Sequence, residues 1–143
     1  MPNQSSVKKI LVVEDDANLN RLISFNLLTQ GYTVESVFNG LAAKDILSKE
    51  IFDIVILDIM LPGMDGFQLC EYIKKNPQAF KTFVVVVTAR TQVGDKIYGN
   101  ILGADYYLCK PFSVAMLLGI IDELMTVRDK EFVVTVKGGD KKW

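Results

Sequence analysis

Residues 54–66 read IVILDIMLPGMDG, and this stretch decides the fold. Ile54, Val55, Ile56 and Leu57 are apolar at every position, which marks a strand covered on both faces inside a parallel sheet. The run stops at Asp58, and the following Leu61-Pro62-Gly63-Met64-Asp65-Gly66 is rich in turn formers. Open α/β sheets bind their ligands outside the carboxyl ends of the strands, so Asp58 stands where chemistry is expected.

Four more apolar runs read as strands: Ile10–Val13, Tyr32–Val37, Phe83–Val87 and Tyr106–Cys109. Phe83–Val87 (FVVVV) is again apolar throughout. Helical spacing fills the gaps. Leu19, Leu22, Ile23, Leu27 and Leu28 recur every three or four positions, and Gly31 stands where a C-terminal cap belongs. A second helix is predicted over Gly40 to Lys49, with Leu41, Ile46 and Leu47 inward, and a third over Phe67 to Lys75, with Leu69, Tyr72 and Ile73 on one side. A fourth is read over Val93 to Leu102, interrupted by Gly94 and Gly99. The fifth begins after Pro111 with Ser113 as N-cap and carries Met116, Leu117, Ile120, Ile121 and Leu124. Strict alternation of strand and helix gives the expected fold: a doubly wound five-stranded parallel sheet with helices on both faces.

The predicted organisation is a tail at 1–6, the α/β domain at 7–128 and an extension at 129–143. In the extension, Glu131 to Lys137 (EFVVTVK) reads as a strand: an edge strand, one exchanged between subunits, or the start of a further domain. One core is the expectation at 143 residues of which 50% are apolar. A formal net charge of −1 provides no global field toward DNA or anionic lipid. The absence of histidine excludes His-based triads and Cys/His zinc sites, and Cys70 and Cys109 form no CxxC pair. No signal peptide and no run of about 20 apolar residues is seen, so a cytoplasmic protein is expected.

The strand ends carry Glu14-Asp15-Asp16, Asp58, Thr88-Ala89 and Lys110-Pro111. Carboxylates gathered in one crevice repel each other unless a cation joins them. Oxygen donors suit Mg2+, which keeps several waters and leaves room for a phosphoryl oxygen. Lys110 adds a fixed positive charge and Thr88 a hydroxyl donor. An aspartate can itself attack phosphorus, and Asp58 is the candidate nucleophile.

These residues, VVEDD, ILDIMLPGMDG, VVVVTA and YLCKPF, resemble over residues 7–127 the receiver domain of two-component response regulators, whose fold is flavodoxin-like. The resemblance implies that Asp58 accepts the phosphoryl group. It also implies that Asp15 binds Mg2+ directly, Glu14 replaces the second family acid, and the Met60 backbone carbonyl completes the ligands. Thr88 and Tyr107 match the family's switch residues, Lys110 its lysine, and the Lys110-Pro111 bond is expected to be cis. Asp16 falls to a surface or capping role, Ala89 leaves an opening for a phosphodonor, and Met60 and Arg90 fall at positions that modulate phosphoryl loss. The implied partners are a histidine kinase or phosphotransfer protein and a downstream protein target, with no nucleic acid or membrane bound by this chain. The stretch containing Tyr98, Met116, Leu117, Leu118 and Gly119 carries fewer charges than in receivers that pair as homodimers, so a homodimer stays open. Leu117 is expected in the core, and Met116 or Leu118 on a docking face if exposed.

Two rival classes share parts of this pattern. An aspartate-nucleophile phosphohydrolase wants an acid two residues after the nucleophile, where Met60 stands. A flavin carrier wants a hydroxyl- and glycine-rich loop after the first strand, where EDDAN stands instead. A receiver-like binding module that does not signal is the remaining alternative.

Overall fold

The computed structural model describes residues 8–62, 64–76, 81–89 and 103–136. The chain divides into two compact units, Met1–Phe112 and Ser113–Trp143. The first contains β1 (Lys9–Val13), α1 (Ala17–Thr29), β2 (Thr33–Val37), α2 (Gly40–Leu47), β3 (Ile54–Asp58), α3 (Gly66–Lys75), β4 (Phe83–Thr88) and β5 (Tyr106–Cys109). The second contains α4 (Val114–Val136). The helix predicted over Val93 to Leu102 and the residues Arg90 and Tyr98 lie outside the described residues.

All strand pairs are parallel and the order is β2-β1-β3-β4-β5, which makes β3 central. Every residue of β3 is buried, as its uninterrupted apolar run requires. Alternation splits the strands between two faces. Leu11, Val13, Val55, Leu57, Val84 and Val86 form one core with Ala43 and Leu47 of α2 and Leu69, Cys70 and Ile73 of α3. On the other face α1 lies along β1 and β2, burying Ile23 and Leu27.

Local signals set the helix limits. Asp16 caps α1, its carboxylate accepting from the amides of Asn18 (3.0 Å) and Leu19 (3.2 Å). Gly31 adopts φ 97°, the left-handed value that ends a helix without a Cβ clash. Asp65 caps α3 by accepting from the Phe67 amide at 2.7 Å, and Ser113 Oγ accepts from the Met116 amide at 3.0 Å at the start of α4.

Two expectations are corrected. Leu41 is 63% exposed, because the inward stripe of α2 runs through Gly40, Ala43 and Leu47, and position 41 falls on the opposite side of a 3.6-residue helix. The predicted strand from Glu131 is helix instead, since α4 continues to Val136. Each residue added to an existing helix gains a hydrogen bond, whereas a strand needs an edge to pair with. Leu117 is buried as expected, Leu118 is half-buried and Met116 is exposed.

Candidate functional site

Strand register assembles the site. Val13 of β1 stands beside Leu57 of β3, so the next residues, Glu14 and Asp58, emerge level with each other. Asp58 pairs with Val87 and Thr88 with Cys109, which brings Thr88 and then Lys110 to the same edge. The carboxylates of Glu14, Asp15 and Asp58 each offer an oxygen within 4.8 Å of the others. Glu14 and Asp58 are 1% and 4% exposed, whereas Asp15 faces solvent.

Lys110 reaches into this cluster. Its Nζ donates to Asp58 Oδ2 at 2.8 Å and pairs with Glu14 Oε1 at 3.1 Å. Burial alone would lower the Lys110 pKa, but the hydrogen bond to Asp58 and the close negative charges of Asp58 and Glu14 outweigh it and raise the value above the usual lysine. Glu14 shifts upward. Burial is the main cause and the Asp58 charge adds to it, against the Asp16 amide (3.1 Å to Oε2) and Lys110, which favour the ionised form.

The remaining residues frame these charges. The Met60 amide donates to Asp58 Oδ1 at 2.9 Å, fixing the carboxylate plane, while the Met60 side chain is exposed. Thr88 is fully buried, and its carbonyl accepts from the Lys110 amide at 2.7 Å. Tyr107 is half-buried with its hydroxyl shielded from water, and Ala89 is exposed. The Lys110-Pro111 bond is cis.

A divalent cation fits this arrangement. Glu14 Oε1 is buried and, although ion-paired with Lys110, accepts no hydrogen bond of good geometry, so it keeps acceptor capacity toward the crevice. The donors are all hard oxygens, two on buried side chains and one open to water, a set suited to Mg2+.

Asn20 escaped the sequence reading. It is 1% exposed, and its amide nitrogen donates to the carbonyls of both Glu14 and Val37 at 3.0 Å, tying the acidic loop to β2. Its oxygen accepts from Ser24 Oγ at 3.2 Å. The available signal was its position: Asn20, Ile23 and Leu27 form the buried stripe of α1, and a polar residue there must find partners.

A 2-1-3-4-5 parallel sheet with a lysine-bridged carboxylate cluster at its carboxyl edge defines a flavodoxin-like α/β domain with an acidic, cation-competent crevice. The chain belongs to the response regulator receiver domain family, whose model matches residues 10–122. It is 32% identical over 130 residues to the response regulator ArlR of Staphylococcus saprophyticus, covering 91% of this chain and 58% of that relative's length. Among solved structures, a CheY-like receiver domain protein from Methanospirillum hungatei superposes with TM-score 0.83 at 29% identity, covering 87% of this chain and 98% of the other. A BeF3-activated DrrB receiver domain superposes with TM-score 0.75 at 30% identity, covering 84% and 98%.

Proposed function

We propose that this chain, as a receiver over residues 7–128, is a cytoplasmic phosphorylation-operated switch in which Asp58 accepts a phosphoryl group from a histidine kinase or phosphotransfer protein. The observation that carries this reading is the cluster of three carboxylates at the carboxyl ends of β1 and the central strand β3, two of them bridged by Lys110. Membership of the receiver family supports it, as does the existence of a BeF3-activated relative. Mg2+, held by Glu14, Asp15, Asp58 and the Met60 backbone carbonyl, would neutralise charge on the phosphoryl oxygens.

An Asp58 carboxylate oxygen attacks phosphorus, forming an O–P bond. The P–N bond of a protonated phosphoimidazole breaks, and its electron pair returns to a neutral imidazole. Lys110 holds its proton throughout and can shift its hydrogen bond from the carboxylate to the arriving phosphoryl oxygen. Thr88 offers a hydroxyl to another phosphoryl oxygen, and Tyr107 follows that hydroxyl, relaying the state to a protein target. Such a switch shifts a pre-existing equilibrium between two conformations.

This chemistry loads the site without turning it over. The residue two positions after Asp58 is Met60, which has no proton to give a leaving group, so a phosphohydrolase is not favoured. The test is incubation with Mg2+ and acetyl phosphate followed by intact and peptide mass measurement. One phosphoryl group on the peptide carrying Asp58 is expected; an unchanged mass from a protein that binds Mg2+ would overturn the proposal.

A further inference from the structure

Two residues of the β2–α2 connection, Val37 and Gly40, each touch one of the two loops that carry the acids of the crevice. The Val37 carbonyl accepts from the Glu14 amide at 3.2 Å and from Asn20 Nδ2 at 3.0 Å, which holds the loop carrying Glu14 and Asp15. Three residues on, the Gly40 amide donates to the Pro62 carbonyl at 3.2 Å, within the loop that carries Met60. Gly40 also lies directly against that loop. A Cβ at position 40 would overlap the Met64 carbonyl oxygen and fall 2.6 Å from Met64 Cβ and 2.9 Å from its carbonyl carbon. The nearest obstruction is backbone, so a side chain could be accommodated only by moving the loop.

That loop has little slack. The Gly66 amide donates to the Ile59 carbonyl at 3.0 Å and the Leu61 amide to the same carbonyl at 3.1 Å, so both ends of the loop are tied to Ile59. The Met60 amide in turn holds Asp58 Oδ1 at 2.9 Å. A push on Met64 or Pro62 is therefore carried to the Asp58 carboxylate and to the Met60 backbone. At the other end, Asn20 transmits any shift of Val37 to the Glu14 carbonyl.

We infer that Val37–Gly40 is a bracket that sets the spacing between the two acidic loops, with Asn20 and Gly40 as positioning residues for the cation site. The inference rests on the functional reading above, but its contacts run between protein atoms alone. The bracket acts through distance: carboxylates held at the right separation cost little further ordering when Mg2+ joins them, and outer partners of this kind typically change metal affinity about 10–100-fold when altered.

The experiment uses the full chain with Gly40→Ala, Asn20→Ala and, as a control, Ala43→Gly. Gly40→Ala replaces glycine by a better helix former at the start of α2, whereas Ala43→Gly weakens the same helix one turn away from the loops. Mg2+ affinity is measured by calorimetric titration, stability by thermal melting, and amide hydrogen exchange in the metal-free state at Met60, Leu61 and Gly66. Gly40→Ala is expected to bind Mg2+ about tenfold more weakly and to exchange these amides faster. Asn20→Ala is expected to weaken Mg2+ similarly, with faster exchange at the Glu14 amide. Ala43→Gly should melt earlier yet keep Mg2+ affinity within about twofold. Unchanged affinity in Gly40→Ala, or an equal loss in Ala43→Gly, overturns the bracket. Should the unaltered chain itself bind no Mg2+, the functional reading fails, and exchange alone judges the bracket: unchanged Met60 and Gly66 exchange in Gly40→Ala overturns it.

Discussion

At the amino ends of the strands, each acid has a partner of its own. Asp53 accepts from the Lys9 amide at 2.9 Å, Glu50 pairs with Lys9 Nζ at 2.6 Å, and Asp105 accepts from the Val84 amide and pairs with Lys74, both at 2.8 Å. At the carboxyl ends, Glu14, Asp15 and Asp58 converge, and Lys110 bridges Glu14 and Asp58. The residue types are the same. What differs is the balance: one end is closed electrostatically and finishes strands, while among the described residues the other gathers three carboxylates against one lysine, an excess of negative charge that could hold a cation. An acid cluster marks function here because its partners run short, not because it is acidic.

The largest effect should come from Asp58→Asn. Asparagine keeps an acceptor for the Met60 amide and leaves Lys110 paired with Glu14, so the fold should stay within about 1 kcal/mol of the original. Phosphoryl uptake from acetyl phosphate, read by mass, should vanish completely. A protein that still gains a phosphoryl group would show that the carboxyl end does not depend on this acid.

Asp105→Ala tests the opposite end. Val84 is fully buried, and removing Asp105 takes away the side-chain acceptor of its amide together with the Lys74 pair. Leaving a buried donor unsatisfied costs roughly 1–3 kcal/mol. Chemical denaturation should report that loss, while the rate of phosphoryl uptake in the folded protein stays unchanged. A slowed uptake at constant stability would dissolve the division between the ends.

The excess of charge should also appear as a pH dependence. The folded state holds the Glu14 proton more tightly than the unfolded chain, chiefly through burial. The resulting stability is fully present below the unfolded value of 4.5 and is lost as pH rises through the higher folded value. Glu14→Gln does not titrate, so in metal-free buffer it should gain on the unaltered protein as pH climbs through that window. Added Mg2+ should reverse the order, because an ionised carboxylate at position 14 attracts the cation more strongly than a neutral amide does. Melting curves across pH, with and without Mg2+, decide the matter.

The division between ends also explains what could be read in the sequence. Buried parallel strands are legible because both faces must be apolar, so Ile54–Leu57 and Phe83–Val87 announced themselves. Glu14, Asp15, Asp58, Thr88 and Lys110 were legible because a parallel sheet delivers its strand ends to one edge. Asn20 and Gly40 were not. Their importance lies in a carbonyl on another strand and in the backbone of a distant loop, neither of which a local pattern encodes. Leu41 is an exception because burial on a helix follows angle as well as hydrophobicity, and position 41 faces away from the Ala43–Leu47 stripe. The EFVVTVK run misled because β-branched residues favour a strand only where an edge receives them.

The smallest effect belongs to Lys9→Gln. The Lys9–Glu50 pair is short, but its side chains are 37% and 38% exposed, so water already screens much of the attraction. The Lys9 ammonium also lies 4.9 Å from the centre of the Phe52 ring, a contact of comparable modest worth. The backbone bond from the Lys9 amide to Asp53 survives the substitution. Exposed pairs of this kind contribute about 0–1 kcal/mol. Denaturation should therefore show a loss below about 1 kcal/mol that shrinks further as salt is raised, with phosphoryl uptake untouched. A loss as large as that of Asp105→Ala would mean that charge pairing, rather than satisfaction of the strand amides, closes the amino end.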